Sequence, residues 1–128
     1  MKIPVVIQMQ PTENGAAALC MMLGYHKRYV PLEEMRNVCI SSRNGSSPSQ
    51  IADAARTYGL DASVEKIPVP DLTGMELPLL IQWKRKYYAV IKSFRRGLVT
   101  VVDPASGEYS MTREKFESLY TGTAIRLT

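Results

Sequence analysis

The sequence predicts an α+β fold in a single domain over residues 1–128, with helices in the first half and an antiparallel sheet in the second. Three observations carry this expectation. An almost wholly apolar run, residues 16–23, follows Thr12, Glu13 and Asn14, which offer capping side chains, and Gly15, which lets another backbone approach closely; a helix that is apolar all round belongs in a core. Up to Gly59 the apolar residues recur at helical spacing, whereas beyond it they alternate and are rich in β-branched and aromatic types. A chain of 128 residues is long enough for one hydrophobic core without disulfide staples.

Taken in order, residues 3–9 form a short extended segment after Pro4 that leads into the opening helix, expected over 14–27 with Tyr25 and Tyr29 closing its end. Pro31 suits the first turn of a second helix, LEEMRNVC, whose Leu32, Met35, Val38 and Cys39 share one face. Residues 41–47, SSRNGSS, read as a loop. Ser47 followed by Pro48 is a cap and a first helical residue, and Ile51, Ala54, Ala55 and Tyr58 give a third helix that Gly59 ends. The segments ASVEKI, PLLIQW, KYYAVIKSF, GLVTVVD and EYSM then read as strands. Thr112 caps a last short helix, REKFESLY, before a closing strand, TAIRL. Helices first and sheet second is the α+β order.

Composition narrows the function. A formal charge of +4 is spread over many segments, which argues for a preference for acidic partners rather than a dedicated nucleic-acid surface. Cys20 and Cys39 fall inside apolar helical patterns, as buried reduced thiols of a cytoplasmic protein do. No metal-ligand spacing is present, no cofactor is expected, and the one histidine, His26, sits at the far end of the first helix as a surface residue. The N-terminal apolar stretch is too short for a signal peptide, and no run reaches membrane-spanning length, so a soluble chain is expected.

Gln8, five residues, then Glu13-Asn14-Gly15 and an Ala-rich helix resembles the opening of the bacteriocin-processing cysteine peptidases, where an acidic-Cys-Gly triplet stands at that place. These are the papain-like domains of peptidase-containing ABC transporters, which cut peptide leaders after a double glycine. VPLEEMR, residues 45–58, PLLIQW, VVDPASGEYSM and TREKFESLYTG carry the resemblance over nearly the whole chain. It implies a papain-like fold, with the thiol at a helix N-terminus that stabilises a thiolate and the glutamine helping to bind the oxyanion.

By this resemblance Asn14 occupies the position of the nucleophilic cysteine and Tyr87, in Trp83-Lys84-Arg85-Lys86-Tyr87-Tyr88, that of the histidine base. Gln8 and Asp103, the latter in Asp-Pro-Ala-Ser-Gly, are retained. An amide lacks the nucleophilicity of a thiolate, and a phenol with a pKa near 10 is no ordinary base at neutral pH. Each residue also has a plain structural reading. Asn14 can be a helix N-cap, Tyr87 a strand aromatic whose hydroxyl bonds Asp103 or Asn14, and Asp103 a turn opener before Pro104.

The resemblance therefore implies a catalytically inactive leader-peptidase-like domain that binds precursor or leader peptides of a bacteriocin or lanthipeptide-type system. It would serve export, or processing by an active partner, at the cytosolic face of a membrane transporter. Two alternatives stand beside it: a structural subunit that pairs with an active homologous peptidase, and a cysteine peptidase with a rearranged site using Cys20 or Cys39. Trp83, Lys84, Lys86 and Tyr88 are the expected peptide contacts. With Arg85, Lys92, Arg95 and Arg96, the lysines are expected to border the peptide path and favour an acidic helical leader.

Overall fold

The computed structural model describes residues 2–39 and 45–128. A short 3-10 turn, Pro11–Glu13, runs straight into helix α1, Asn14–Tyr25; α2, Leu32–Val38, and α3, Pro48–Thr57, follow. Then come strand β1, Ala62–Lys66, a single helical turn α4, Val69–Leu72, and strands β2, Leu79–Trp83, β3, Tyr87–Arg95, β4, Leu98–Asp103, and β5, Gly107–Thr112. Helix α5, Arg113–Leu119, and strand β6, Tyr120–Leu127, close the chain. The expected loop over 41–47 lies partly outside the described residues. Its last residues lead into α3, where Ser47 accepts a hydrogen bond from the Gln50 N–H as the cap.

All strand pairs are antiparallel, in the order β1-β6-β2-β3-β4-β5. Fold class and strand segments agree with expectation, but the sheet buries both of its faces. Leu80, Tyr88, Val90, Val102 and Ile125 pack against α1 and α3. The alternate residues Leu79, Ile81, Trp83, Ala89, Ile91, Val99 and Val101 pack against α5 through Phe116 and against Leu72 of α4. Phe116 stacks on Tyr120 with ring centroids 5.4 Å apart and meets Phe94 edge-on at 6.3 Å. That is why PLLIQW and YYAVI are apolar at consecutive positions: a strand covered on both sides loses its alternation.

Boundaries shift in two helices. Pro31, expected in the first turn of α2, is its N-cap, and Cys39, expected inside the helix, is its C-cap. Asn14 is the first residue of α1, with Glu13 at the cap position. Eleven of the twelve α1 residues are buried, so the helix is the core of the helical layer. Gly15 marks its closest approach to the sheet: a Cβ there would lie 2.8 Å from Ile51 Cδ1 and 3.2 Å from Tyr88 Cδ2.

Candidate functional site

Gln8, Asn14, Tyr87 and Asp103, drawn from four separate stretches of sequence, line one cleft of about 230 Å³ together with Trp83 and Lys84. The fold assembles it simply. β2 and β3 are a hairpin whose last pair, Trp83 and Tyr87, ends beside the N-terminal end of α1. β4 ends at Asp103, and the Gln8 N–H donates to the Pro104 carbonyl at 2.9 Å, tying the N-terminal segment to that turn. On the other side of Asn14 and Tyr87 lies a narrower chamber of about 40 Å³, walled by Thr12, Gly15, Ser46, Lys86 and Tyr88.

Asn14 is 4% exposed and is no helix cap. Its Oδ1 accepts from the backbone N–H of Tyr88 at 2.5 Å, and its Nδ2 donates to Gln8 Oε1 at 2.8 Å. A backbone N–H can only donate, so Tyr88 determines which end of the Asn14 amide faces it. That in turn makes Gln8 present its oxygen to Asn14 and keep its NH2 group for something else. The physical reason Asn14 does not cap is the 3-10 turn before it: the Asn14 N–H is already taken by the Pro11 carbonyl, leaving the side chain free to bridge α1 to β3.

Asp103 is 2% exposed. One carboxylate oxygen accepts from the Ala105 N–H and the other from the Tyr109 hydroxyl, each at 2.8 Å. Lys84 Nζ stands 3.8 Å away, over the Trp83 ring. The expected bond from Tyr87 to Asp103 or Asn14 is not made; their oxygens take the Ala105, Tyr109 and Tyr88 donors instead. Tyr109 is the residue that the sequence reading missed. It lies on β5 opposite Val101, two positions beyond the Asp103–Gly107 pair, and was legible only once the β4–β5 register was known. Burial, then the bond to Asp103 and its charge, push the Tyr109 phenol well above its usual range.

Glu13 positions the Gln8 segment. Its carboxylate accepts from the N–H groups of Met9 at 3.0 Å and Gln10 at 3.3 Å and pairs with the Arg36 guanidinium of α2. Arg36 Nε is buried in this pair out of line for a hydrogen bond, while Nη2 reaches Met9 Sδ at 3.2 Å. Burial alone would raise the Glu13 pKa; Arg36 and the two N–H groups together hold it below the ordinary 4.5.

Other expected residues divide. Lys84 and Lys86 border the two chambers, Lys86 Nζ lying 5.6 Å from the Tyr87 ring centroid. Trp83 and Tyr88, expected as peptide contacts, are 0% and 1% exposed and build the walls from beneath. Tyr88 bonds the Ser46 carbonyl through its hydroxyl at 2.8 Å. Lys92 is instead paired with Glu108 at 2.9 Å, and Arg95 and Arg96 lie eight and nine residues along from Tyr87, about 25 Å at strand rise. His26, half-buried against Tyr25, ends α1 opposite the cleft. Cys20 and Cys39 are free and buried, and burial pushes their thiols up to about 12 and about 11, so neither is a thiolate near neutral pH.

The peptidase C39 family model matches residues 2–128. A double glycine motif protease from an AMS/PCAT transporter, crystallised in complex with the leader peptide, is 36% identical and superposes with a TM-score of 0.94 over 98% of this chain and 91% of that chain. The peptidase domain of ComA from Streptococcus, a bi-functional ABC transporter, shares the fold at 21% identity and a TM-score of 0.92 over 99% of this chain and 98% of that one. The probable microcin-H47 secretion/processing ATP-binding protein MchF of Escherichia coli is 25% identical over 126 residues, which is 98% of this chain. The chain spans only 18% of that relative's length.

Proposed function

We propose, for a chain that belongs to the peptidase C39 family, that it binds double-glycine leader peptides without cutting them, as one domain over residues 1–128. The observation that carries this reading is Asn14 in the cleft. A side chain held by Gln8 on one side and by the Tyr88 N–H on the other is a strut between α1 and β3, and an amide cannot attack a carbonyl as a thiolate does. Tyr87 adds no base. Gln8 and Asp103 remain as the groups that assist, and assisting groups alone supply no covalent step. Leader recognition needs neither missing group, since an amphipathic helix laid in a groove is held by apolar burial and small residues threading a narrow cleft.

The kinship with a protease solved with its leader peptide supports the ligand class. The transport and processing proteins among the relatives support a place at the cytosolic face of an exporter, receiving precursors or delivering them to an active partner. Among the described residues no helix is long and apolar enough to cross a membrane. The reading is tested by incubating the protein with a precursor peptide and weighing the products. Intact precursor is expected with the wild type and some cleavage after the double glycine with Asn14→Cys plus Tyr87→His. Wild-type cleavage abolished by Cys20→Ser or Cys39→Ser would overturn it in favour of a rearranged peptidase.

A further inference from the structure

Around Asn14 the side-chain groups left without any hydrogen bond are mainly donors. The side-chain acceptors each already take a hydrogen bond: Asn14 Oδ1 from Tyr88, Gln8 Oε1 from Asn14, and the two oxygens of Asp103 from Ala105 and Tyr109. The donors differ. Among the described residues the Gln8 NH2 group and the Lys86 ammonium make no hydrogen bond, and Lys84, over the Trp83 ring, reaches Asp103 only at 3.8 Å. Ser46 is 6% exposed, and its hydroxyl is fully buried at the wall of the narrow chamber with no partner. An orphaned buried hydroxyl in a built wall carries a real cost, of the kind a ligand removes.

A peptide chain passing through would bring alternating donors and acceptors and leave part of this surplus unmet. A group made only of acceptors, with a full negative charge, matches it. We infer that the cleft holds the free C-terminal carboxylate of a peptide, so that its preferred ligand is a leader already cut after its last glycine rather than the intact precursor. The inference rests on the leader-binding reading and narrows it from the intact precursor to the cut leader that an active partner would release. The narrow chamber, about 40 Å³ and lined by Gly15 beside Tyr88, is too small for a large side chain, which suits a peptide that ends in glycine. The carboxylate then lies between Gln8 and the lysines, where charge-assisted hydrogen bonds replace those to water.

The test uses one fluorescently labelled synthetic peptide, an acidic amphipathic helix ending in Gly-Gly, in three forms: free acid, C-terminal amide, and extended by two alanines. Binding is followed by fluorescence anisotropy at low and at physiological salt. The free acid is expected to bind at least about tenfold tighter than the other two. That advantage should shrink in Lys86→Gln, Gln8→Ala and Ser46→Ala, each checked for folding by circular dichroism; Lys86 is exposed, so its variant keeps the test valid if another misfolds. Equal affinity for the three forms, or tighter binding of the extended one, overturns the inference and leaves leader binding standing. No binding of any form overturns both. An acid preference unchanged in all three variants places the carboxylate elsewhere and overturns the assignment to this cleft.

Discussion

Asn14 carries a structural duty in the cleft, as a strut between α1 and β3. Its Oδ1 is the partner of a strand N–H that is otherwise shut inside the protein. Asn14→Ala should therefore destabilise the domain by about 1–3 kcal/mol, the cost of leaving that donor unsatisfied, as measured by urea unfolding. Sulfur is a weak acceptor, so Asn14→Cys should lose much of the same bond, and any activity gained with Tyr87→His should come with a lower unfolding midpoint. Glu13 makes a second prediction at this scale. Its folded pKa lies below the ordinary 4.5, so the stability it confers is fully present above that value and is lost as pH falls through the folded pKa. Glu13→Gln should be less stable than the wild type at neutral pH, and the gap should narrow below about pH 4.5. A gap that stays constant down to pH 3 would mean that the carboxylate's charge contributes nothing.

At the scale of elements, the contact of α1 with β3 governs the cleft. Gly15→Ala has two opposed effects. It gains about 1 kcal/mol of helix propensity, but it sets a Cβ against Ile51 and the Tyr88 ring, and overpacking of this kind costs about 1–3 kcal/mol. Ile51 Cδ1 ends a flexible side chain and can yield, whereas Tyr88 is pinned by its hydroxyl to Ser46. A net loss of about 1 kcal/mol is expected, read as a fall in Tm of about 4 °C. The β2–β3 hairpin is the other element that matters. Lys84 and Arg85 are consecutive non-glycine residues at φ +51 and +73, a conformation that costs about 1 kcal/mol or more for each. The turn holds its cations at the mouth of the cleft in spite of that cost.

For the whole molecule, the +4 charge matters where the fold concentrates it. Lys84 and Lys86 flank the chambers, while Lys92 is neutralised by Glu108 and Arg95 and Arg96 are remote. Charge reversal at Lys84 and Lys86 together should slow association of an acidic leader and weaken its salt dependence, because screening acts over about 8 Å at physiological salt. The same reversal at Arg95 and Arg96 should leave the association rate unchanged within about twofold. Stopped-flow binding at two salt concentrations distinguishes them, and equal effects from the two pairs would show that only net charge is felt.

The sequence by itself determined the α+β order and the strand segments, because periodicity, caps and turn residues are local and each element declares its own. That Gln8, Asn14, Tyr87 and Asp103 would converge on one cleft was also legible, from the spacing of the segments that carry them. What only the tertiary structure decided was how those residues are bonded. Tyr109 as the partner of Asp103, Tyr88 as the donor to Asn14, the Arg36 clamp on Glu13 and the double-sided burial of β2 and β3 are pairings across strands and layers. Such pairings depend on register and packing, and a shift of one residue in either would exchange every partner while leaving the local sequence signals untouched.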